Sequence, residues 1–235
     1  MSETLLCIKG SLVDKEGSGV VKLANNVGAF LFDSCTYSES AREMETVRDP
    51  GIVSAVRAMT CYNQEDSNYM VMSGWNYPNS PILHDTSFNI LMPLKHIFNI
   101  FNDYPLITCG RQTIRLVRAR NDNDCLIITD TVTTAKININ IELRVKHIYP
   151  NDEIKLQLMK SIQEDRPIVI PFRKWELHEL PLPKVLGVKF GPLKLAHQLK
   201  DHVMLLFSFK RENVTRSKLI LPYLTMSASK VLDYP

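Results

Sequence analysis

The chain has 235 residues, of which 45% are hydrophobic and 23% charged, a composition typical of a globular protein with a sizeable core. Its net charge of +3 is too small to indicate a nucleic-acid-binding protein. The first residues do not resemble a signal peptide, and no apolar run approaches the ~18 residues of a membrane span. We therefore expect a chain that is neither secreted nor embedded in a membrane, with one large domain or two smaller ones.

The charge is unevenly distributed. Residues 166–235 hold 12 Lys and Arg against 5 Asp and Glu, a balance of +7, whereas residues 1–165 hold 16 against 20, a balance of −4. A basic C-terminal third is compatible with weak or indirect contact with nucleic acid. Lysines on a solvated sheet face are the more common explanation, and we favour it.

Short apolar runs bounded by Gly, Pro, Asn, Asp or Ser predict β-strands along most of the chain. In AKININIELRVK, residues 135–146, alternate residues from Ile137 to Val145 are apolar and those between are polar. A period of two over this length indicates a long strand with one solvated face, which favours an antiparallel sheet. Further strands are predicted at 4–9, 19–24, 28–37, 42–47, 52–61, 69–74, 86–92, 112–119, 124–129, 167–172, 174–180, 185–190, 203–210 and 218–224.

Two helices are predicted between the strands. In 93–101, apolar residues recur at helical spacing and Pro93 suits the first turn, and we expect this helix to pack at the edge of a sandwich. In 152–163, Asn151 can cap the helix. Its predicted buried stripe consists of Ile154, Leu158 and Ile162.

The residue types of catalytic and metal sites do not occur at the spacings those sites need. The six His residues form no HxH or HExxH pattern, and no GxSxG elbow is present. Asp122 and Asp124 could bind Ca²⁺, but an Asn- and Asp-rich turn is more common. Gly17-Ser18-Gly19 is interpreted as a hairpin turn rather than a phosphate loop. We predict no catalytic, cofactor-binding or metal-binding residues, and no cofactor.

Cysteine and tryptophan positions favour a structural role. The five cysteines, at 7, 35, 61, 109 and 125, include no CxxC pair and are predicted to be reduced, with Cys125 in the core. Trp175 stands in a stretch of mixed charge rather than in a basic groove that would stack nucleic-acid bases. We therefore expect Trp175 to face a core together with Leu177, and the prolines that follow to mark an edge or bend.

The stretch FRKWELHELPLP, residues 172–183, resembles a motif of the double jelly-roll major capsid proteins of Polinton (Maverick) elements and adintoviruses, which have relatives in insect and other animal genomes. Other segments are similar to that family in the same order along the chain. They are FLFDSCTYSESAREMETVRDPGIVS at 30–54, in which Arg48, Gly51, Ile52 and Ser54 match an R-x-x-G-I-x-S signature, MPLKHIFNIFNDY at 92–104, IRLVRARNDND at 114–124, the strand and helix at 136–163, and AHQLKDHVMLLFSFKREN at 196–213.

The resemblance implies a mainly β chain with a jelly-roll β-sandwich in 1–150, a connector helix in 151–165 and the start of a second, truncated jelly roll in 166–235. The chain departs from the family in two ways. Ser40-Ala41 replaces an Asn-Gly hairpin turn, and the sequence stops where the family's chain continues. A truncated gene copy, a domesticated remnant and an incomplete gene model are the alternatives.

The function implied by the resemblance is that of a non-enzymatic structural protein that self-assembles as trimers into a shell, or of a domesticated remnant. Its partners would be further copies of itself and other capsid proteins, in a virion or, if domesticated, inside the cell. The alternative is a jelly-roll binding module that recognises a host protein or glycan. We expect 166–235 to self-associate through an open apolar face that includes Ile168, Ile170, Phe172, Trp175, Leu205, Phe207, Phe209 and Leu219.

Overall fold

A computed structural model of the protein describes residues 3–17, 19–76, 87–104, 110–128, 133–164, 169–182, 202–205, 208–212 and 216–227. Over these residues the chain is mainly β, as predicted. The strands are β1 Leu5–Glu16, β2 Val21–Leu23, β3 Phe32–Glu39, β4 Arg42–Arg48, β5 Ser87–Pro93, β6 Gln112–Arg118, β7 Leu126–Ile128, β8 Thr134–Arg144, β9 Phe172–Leu182, β10 His202–Leu205, β11 Ser208–Glu212 and β12 Arg216–Ser227.

The described strand pairs are antiparallel. β1 lies between β5 and β8 in one sheet, β3 lies between β4 and β6 in another, and β2 pairs with β7. In the last part of the chain, β12 pairs with β9, β10 and β11. β8 confirms the long strand predicted from its period of two, and the predicted strand 203–210 is divided between β10 and β11.

Short helices connect the strands. They are α1 Val27–Phe30, α2 Pro50–Cys61, α3 Gln64–Met70, α4 Ile100–Asp103 and α5 Asp152–Gln163, with 3₁₀ turns at Val71–Ser73 and Leu94–His96. The predicted strands 52–61 and 69–74 are therefore wrong, and α1 occupies the first residues of the predicted strand 28–37. Pro50 begins α2, where its fixed φ and missing N–H suit the first turn. Asn63 caps α3, its side chain accepting from the Asp66 amide at 2.7 Å.

The glycine-containing link between β1 and β2 is not a hairpin turn, in contrast to the prediction. β1 and β2 belong to different sheets, so the link passes from one to the other. Gly17 has φ +96, and a Cβ on it would lie 2.5 Å from Thr133 Oγ1. The same Oγ1 accepts from the Gly19 amide at 2.9 Å. Glycine at position 17 thus permits both the left-handed backbone and the close approach to Thr133.

One hydrophobic core collects side chains from the three sheets formed by β1 to β8. The segment predicted as a helix over 93–101 lies in the centre of this core rather than at its edge, and it is a 3₁₀ turn followed by the short helix α4. The Tyr37 ring centroid lies 4.9 Å from that of Phe101 and 6.2 Å from that of Phe98. The three rings of Tyr37, Phe98 and Phe101 thus pack together inside the core, which stabilises the position of this segment.

The chain that follows the connector returns to the same core. Ile170, Phe172 and Trp175 are buried within it, so Trp175 faces a core as predicted, with Leu177 packed against it. The connector helix α5 behaves differently, because Ile154 and Leu158 are about half exposed. The predicted buried stripe on α5 is therefore wrong for these two residues. Predicted strand 185–190 lies outside the described residues, and the boundaries at 150 and 165 stay a prediction.

Candidate functional site

The sequence offered Asp122 as a possible Ca²⁺ ligand, but in the structure this side chain stabilises the fold. Asp122 forms an ion pair with Arg118 and accepts from the Ile137 amide at 2.8 Å, which ties the RNDND turn to β8. Among the described residues, no group of three or more His, Cys, Asp or Glu is placed to hold a metal ion. Cys7, Cys35, Cys61 and Cys125 are free thiols, as predicted, whereas Cys109 lies outside the described residues. Burial raises the pKa of Cys35 and of Cys125 to about 12.

A pocket of about 410 Å³ opens between α2, α3, the α4 segment and β9. This volume falls in the ~300–1,000 Å³ range of ligand pockets. We call it the Arg57 pocket. It is lined by Arg57, Cys61, Tyr62, Asp66, Met70, Lys95, Asn99, Asn102, Arg173 and Trp175.

Tyr62, which lines the Arg57 pocket, belongs to a buried hydrogen-bond network that also contains His96, Asn26 and Ser54. The Asn26 amide nitrogen donates to the Gly51 carbonyl at 2.9 Å and to Ser54 Oγ at 2.8 Å, which leaves Asn26 Oδ1 as an acceptor. His96 Nε2 lies 2.8 Å from that oxygen, so Nε2 carries the proton. Burial lowers the pKa of His96 to about 3, so the ring is neutral and Nδ1 accepts from the Tyr62 hydroxyl at 2.8 Å.

The residues of this network explain part of the R-x-x-G-I-x-S signature. A Cβ on Gly51 would lie 2.3 Å from the Phe30 ring, so only glycine fits at the start of α2. Ser54 Oγ donates to the Pro50 carbonyl at 2.5 Å and accepts from Asn26. Asn26 itself has φ +65, a left-handed backbone that Asn tolerates better than most residues. These three residues therefore hold the start of α2 against α1 and its N-terminal residue Asn26.

Arg57 projects from α2 into the lining of the pocket. Only 6% of Arg57 is exposed, its Nη2 donates to the Lys95 carbonyl at 2.5 Å, and its guanidinium carbon lies 5.8 Å from the Tyr62 ring centroid. Within the described part of the chain, Arg57 Nη1 is buried and has no partner in hydrogen-bond geometry. A buried cationic donor without an acceptor is costly, which makes this nitrogen unusual.

Two carboxylates are engaged close to the pocket. Glu45 is buried and accepts from the Asn99 and Ile100 amides at 3.1 and 3.0 Å. Burial raises the pKa of Glu45 to about 7, although these amides and the charge of Arg57 act in the opposite direction. Asp103 accepts from the Arg173 amide and Nε at 2.9 Å and from its Nη2 at 2.7 Å, which joins β9 to α4.

The sequence did not identify this pocket, because its residues come from three separate stretches. They lie on 57–70, 95–102 and 173–175, with no motif spacing within or between them. One signal was available: Arg57 occupies the apolar face of α2, four residues after Val53, which is also buried. An arginine on the buried side of a helix needs an internal partner or a ligand.

The fold defines a mainly β protein of jelly-roll type, with short helices between antiparallel strands. A family model, the double jelly roll-like domain, matches residues 21–226. The chain belongs to this family, which confirms the resemblance to double jelly-roll proteins. A comparison with curated proteins finds no match. Among the described residues, no helix has the length and apolar character needed to cross a membrane.

Proposed function

We propose that the protein is a non-enzymatic structural subunit that self-assembles, as capsid subunits of Polinton elements and adintoviruses do, or a domesticated descendant of such a subunit. Membership of the double jelly roll-like domain family supports a structural role. The buried, neutral His96 and the buried thiols of Cys35 and Cys125 are poorly suited to acid–base or nucleophilic chemistry. The proposed partners are further copies of the chain, as trimers, with a virion or the cell interior as the location.

The observation that carries this proposal is a set of exposed apolar side chains within residues 143–164 and at residue 169, which we call the connector segment. Its large apolar side chains are 43% to 91% exposed. Monomeric proteins rarely expose apolar patches beyond a few hundred Å², and covering such surface stabilises an assembly by roughly 25 cal/mol per Å². The exposed residues are Leu143, Val145, Ile148, Tyr149, Ile154, Leu156, Leu158, Met159 and Val169.

The connector segment changes the expected place of self-association. The sequence indicated an open apolar face in 166–235, but Ile170, Phe172 and Trp175 are buried in the core. These three residues are already covered and are not available for association. The exposed connector segment is therefore the surface that we expect a second copy of the chain to cover. Association through the rest of 166–235, and weak nucleic-acid contact there, stay predictions.

Light scattering coupled to size-exclusion chromatography, with negative-stain microscopy, tests the proposal. We expect trimers, larger oligomers or shells, and a shift toward monomer in a variant with Leu156→Ser, Leu158→Ser and Met159→Ser. A matched control replaces three exposed apolar residues elsewhere, with Met59→Ser, Val71→Ser and Ile127→Ser. A wild-type protein that stays monomeric at every concentration, or oligomers that both variants weaken equally, would contradict self-assembly through the connector segment.

A further inference from the structure

The outer edge of β8 carries backbone groups that have no hydrogen-bond partner among the described residues. β8 pairs with β1 on one side, and within the described ranges no strand pairs with its other side. The Ile137 amide is directed to this outer side, where it donates to Asp122 Oδ2 at 2.8 Å. Because alternate residues of a strand direct their backbone groups to the same edge, those of Ile139, Ile141 and Leu143 also lie on the outer side. We call residues 139–143 the open edge.

The pairing of β1 with β5 gives the same orientation independently. The Leu94 amide donates to the Thr4 carbonyl at 3.0 Å, in continuation of the β1–β5 register, so even-numbered residues of β1 direct their backbone groups to β5. Odd-numbered residues of β1 therefore bond to β8, where the register places them opposite even-numbered residues. The backbone groups of residues 139, 141 and 143 thus point away from β1.

The open edge lacks the usual protection against pairing with another chain. Exposed edges are commonly interrupted by proline, a β-bulge or lysine, and residues 138–143 contain none of these. Asp122 occupies only the Ile137 amide, before the open edge begins. Residues 142–144 are exposed, as is the described chain that follows up to residue 160. A second strand can therefore approach this end of β8.

We propose that the open edge pairs antiparallel with the open edge of a second copy of the chain, about a two-fold axis at Ile141. Ile139 then lies opposite Leu143 of the second copy, and each hydrogen-bonded pair exchanges both of its backbone bonds. This pairing rests on the proposed self-assembly, because its partner is a further copy. A two-fold contact cannot close a trimer by itself, so the pairing joins subunits of different trimers.

Charged side chains favour this register over a shift toward the end of β8. With the axis at Ile141, Glu142 lies opposite Asn140 of the second copy and Arg144 lies opposite Asn138, so no like charges meet. An axis at Glu142 would place this carboxylate opposite its own copy, which is destabilising. It would also leave the backbone groups of residue 139 unpaired.

A shift toward the start of β8 is disfavoured for a different reason. An axis at Asn140 would place Arg144 opposite Lys136, a pair of like charges. It would also bring Leu143 opposite Ile137, whose amide is already bonded to Asp122. The axis at Ile141 is therefore the one that uses the whole open edge.

The pairing is continuous with the surface proposed for self-assembly. Leu143 is 47% exposed and begins the connector segment. Across the axis its side chain would lie beside Ile139 of the second copy, since directly opposite Cβ atoms in a sheet are about 4.5–5.5 Å apart. The contact would thus cover the beginning of the connector segment as well as the backbone edge.

Cysteine cross-linking of the full chain tests the register. Asn140 and Glu142 are exposed, and in the proposed pairing they form a non-hydrogen-bonded pair with Cα atoms about 4.5 Å apart, within the range of a disulfide. Asn140→Cys combined with Glu142→Cys should therefore give a covalent dimer on mild oxidation. Asn138→Cys combined with Asn140→Cys is the matched control, because these positions do not face each other. Each variant carries Cys61→Ser, since Cys61 is exposed, and is compared with that parent.

Leu143→Pro, added to the Asn140→Cys and Glu142→Cys pair, tests the backbone bonds. It removes an amide from the outer edge and leaves the bonds to β1, which even-numbered residues make. The loss occurs twice across the axis, so the rate of cross-linking should fall by roughly tenfold or more. Leu143→Thr keeps the amide and should reduce the rate much less. Circular dichroism checks that each variant folds.

Cross-linking that is equal in the paired and control variants, or that Leu143→Pro leaves unchanged, would overturn the β8 pairing. Oligomers in light scattering without the covalent dimer would also overturn it, while self-assembly through the connector segment would stand. A covalent dimer in a chain whose oligomers survive the serine substitutions in α5 would support the β8 pairing and contradict the role of α5. A chain that is monomeric at every concentration and forms no covalent dimer would contradict both.

Discussion

The central core and the connector segment contain the same kinds of apolar residues in opposite surroundings. Phe98, Ile100 and their neighbours are fully buried among the sheets, whereas Ile154, Leu156 and Leu158 are 49% to 60% exposed. The core closes on itself because strands from several sheets reach it, and β9 adds its own residues. Among the described residues, no sheet covers the apolar side chains of the connector helix α5, several of which are exposed. Apolar content alone therefore does not show whether a segment stabilises the fold or is available for association.

The largest expected effect is the difference in stability loss between an alanine substitution in the core and one in the connector segment. Phe98→Ala should lower the free energy of unfolding by about 3–5 kcal/mol, because a fully buried aromatic ring leaves a cavity. Leu158→Ala, at a side chain that is 50% exposed, should change it by about 0.5 kcal/mol or less. Urea denaturation of both variants measures the difference. Equal losses would show that the connector segment is as closely packed as the core.

A second test concerns the ionisation of Glu45, which is buried beside the hydrophobic core. Since burial raises the pKa of Glu45 to about 7 from an ordinary 4.5, the folded state binds this proton more tightly than the unfolded state. The protonated Glu45 therefore contributes fully to the free energy of unfolding below about pH 4.5. This contribution, roughly 3 kcal/mol, is lost as the pH rises through about 7 and the buried carboxyl ionises. We expect the difference in unfolding free energy between wild type and Glu45→Gln to change by that amount from about pH 4.5 to about pH 8.

The comparison with Glu45→Gln is needed because His96 titrates in the opposite sense. Burial lowers the pKa of His96 to about 3, so its contribution is present above about pH 6.5 and is lost as the pH falls toward 3. Wild type and Glu45→Gln share His96, so its contribution cancels in their difference. Glu153→Gln in exposed α5 is the matched control for the charge change itself. A pH-independent difference for Glu45→Gln would show that Glu45 is not desolvated as the structure indicates.

A third test concerns the hydrogen bonds between Arg173 and Asp103, which join β9 to α4. Asp103→Ala removes the three hydrogen bonds from Arg173 and should cost about 1–2 kcal/mol, since the paired geometry is good but Arg173 is partly solvated. Thermal unfolding at low and high salt provides the measurement. Glu142→Ala, which breaks an exposed ion pair with Lys9, should have no measurable effect. Similar losses in both variants would mean that the Asp103 bond is no stronger than a surface pair.

The smallest expected effect lies in the hairpin between β3 and β4. Ser40 and Ala41 have φ +48 and +65, the left-handed backbone that an Asn-Gly turn adopts with less strain. Ala41→Gly should therefore raise the free energy of unfolding by about 0.5–1 kcal/mol. Ala55→Gly in α2 is the control of opposite sign, with an expected loss of about 1 kcal/mol. Destabilisation by Ala41→Gly would contradict the left-handed turn.

Sequence reasoning identified the mainly β class and most of the strands outside the α2 and α3 region. It misread α2, because Ile52, Val53 and Val56 favour strands by propensity while the arrangement of buried residues is helical. It predicted one helix over 93–101 at the edge of the sandwich, whereas this segment is a 3₁₀ turn followed by the short helix α4 and lies within the core. The Arg57 pocket was not predictable, because its residues meet only after α2, α4 and β9 have packed.

Local periodicity and ordered motifs were sufficient to identify the residues that alternate along β8, the segments that resemble the double jelly-roll family and the burial of Trp175. The burial of Phe98 in the core and the exposure of α5 became apparent from the three-dimensional packing alone. An amphipathic pattern shows which side of an element is apolar, but burial requires a second surface to cover that side. Such a surface comes from residues distant in sequence, and no local pattern contains it.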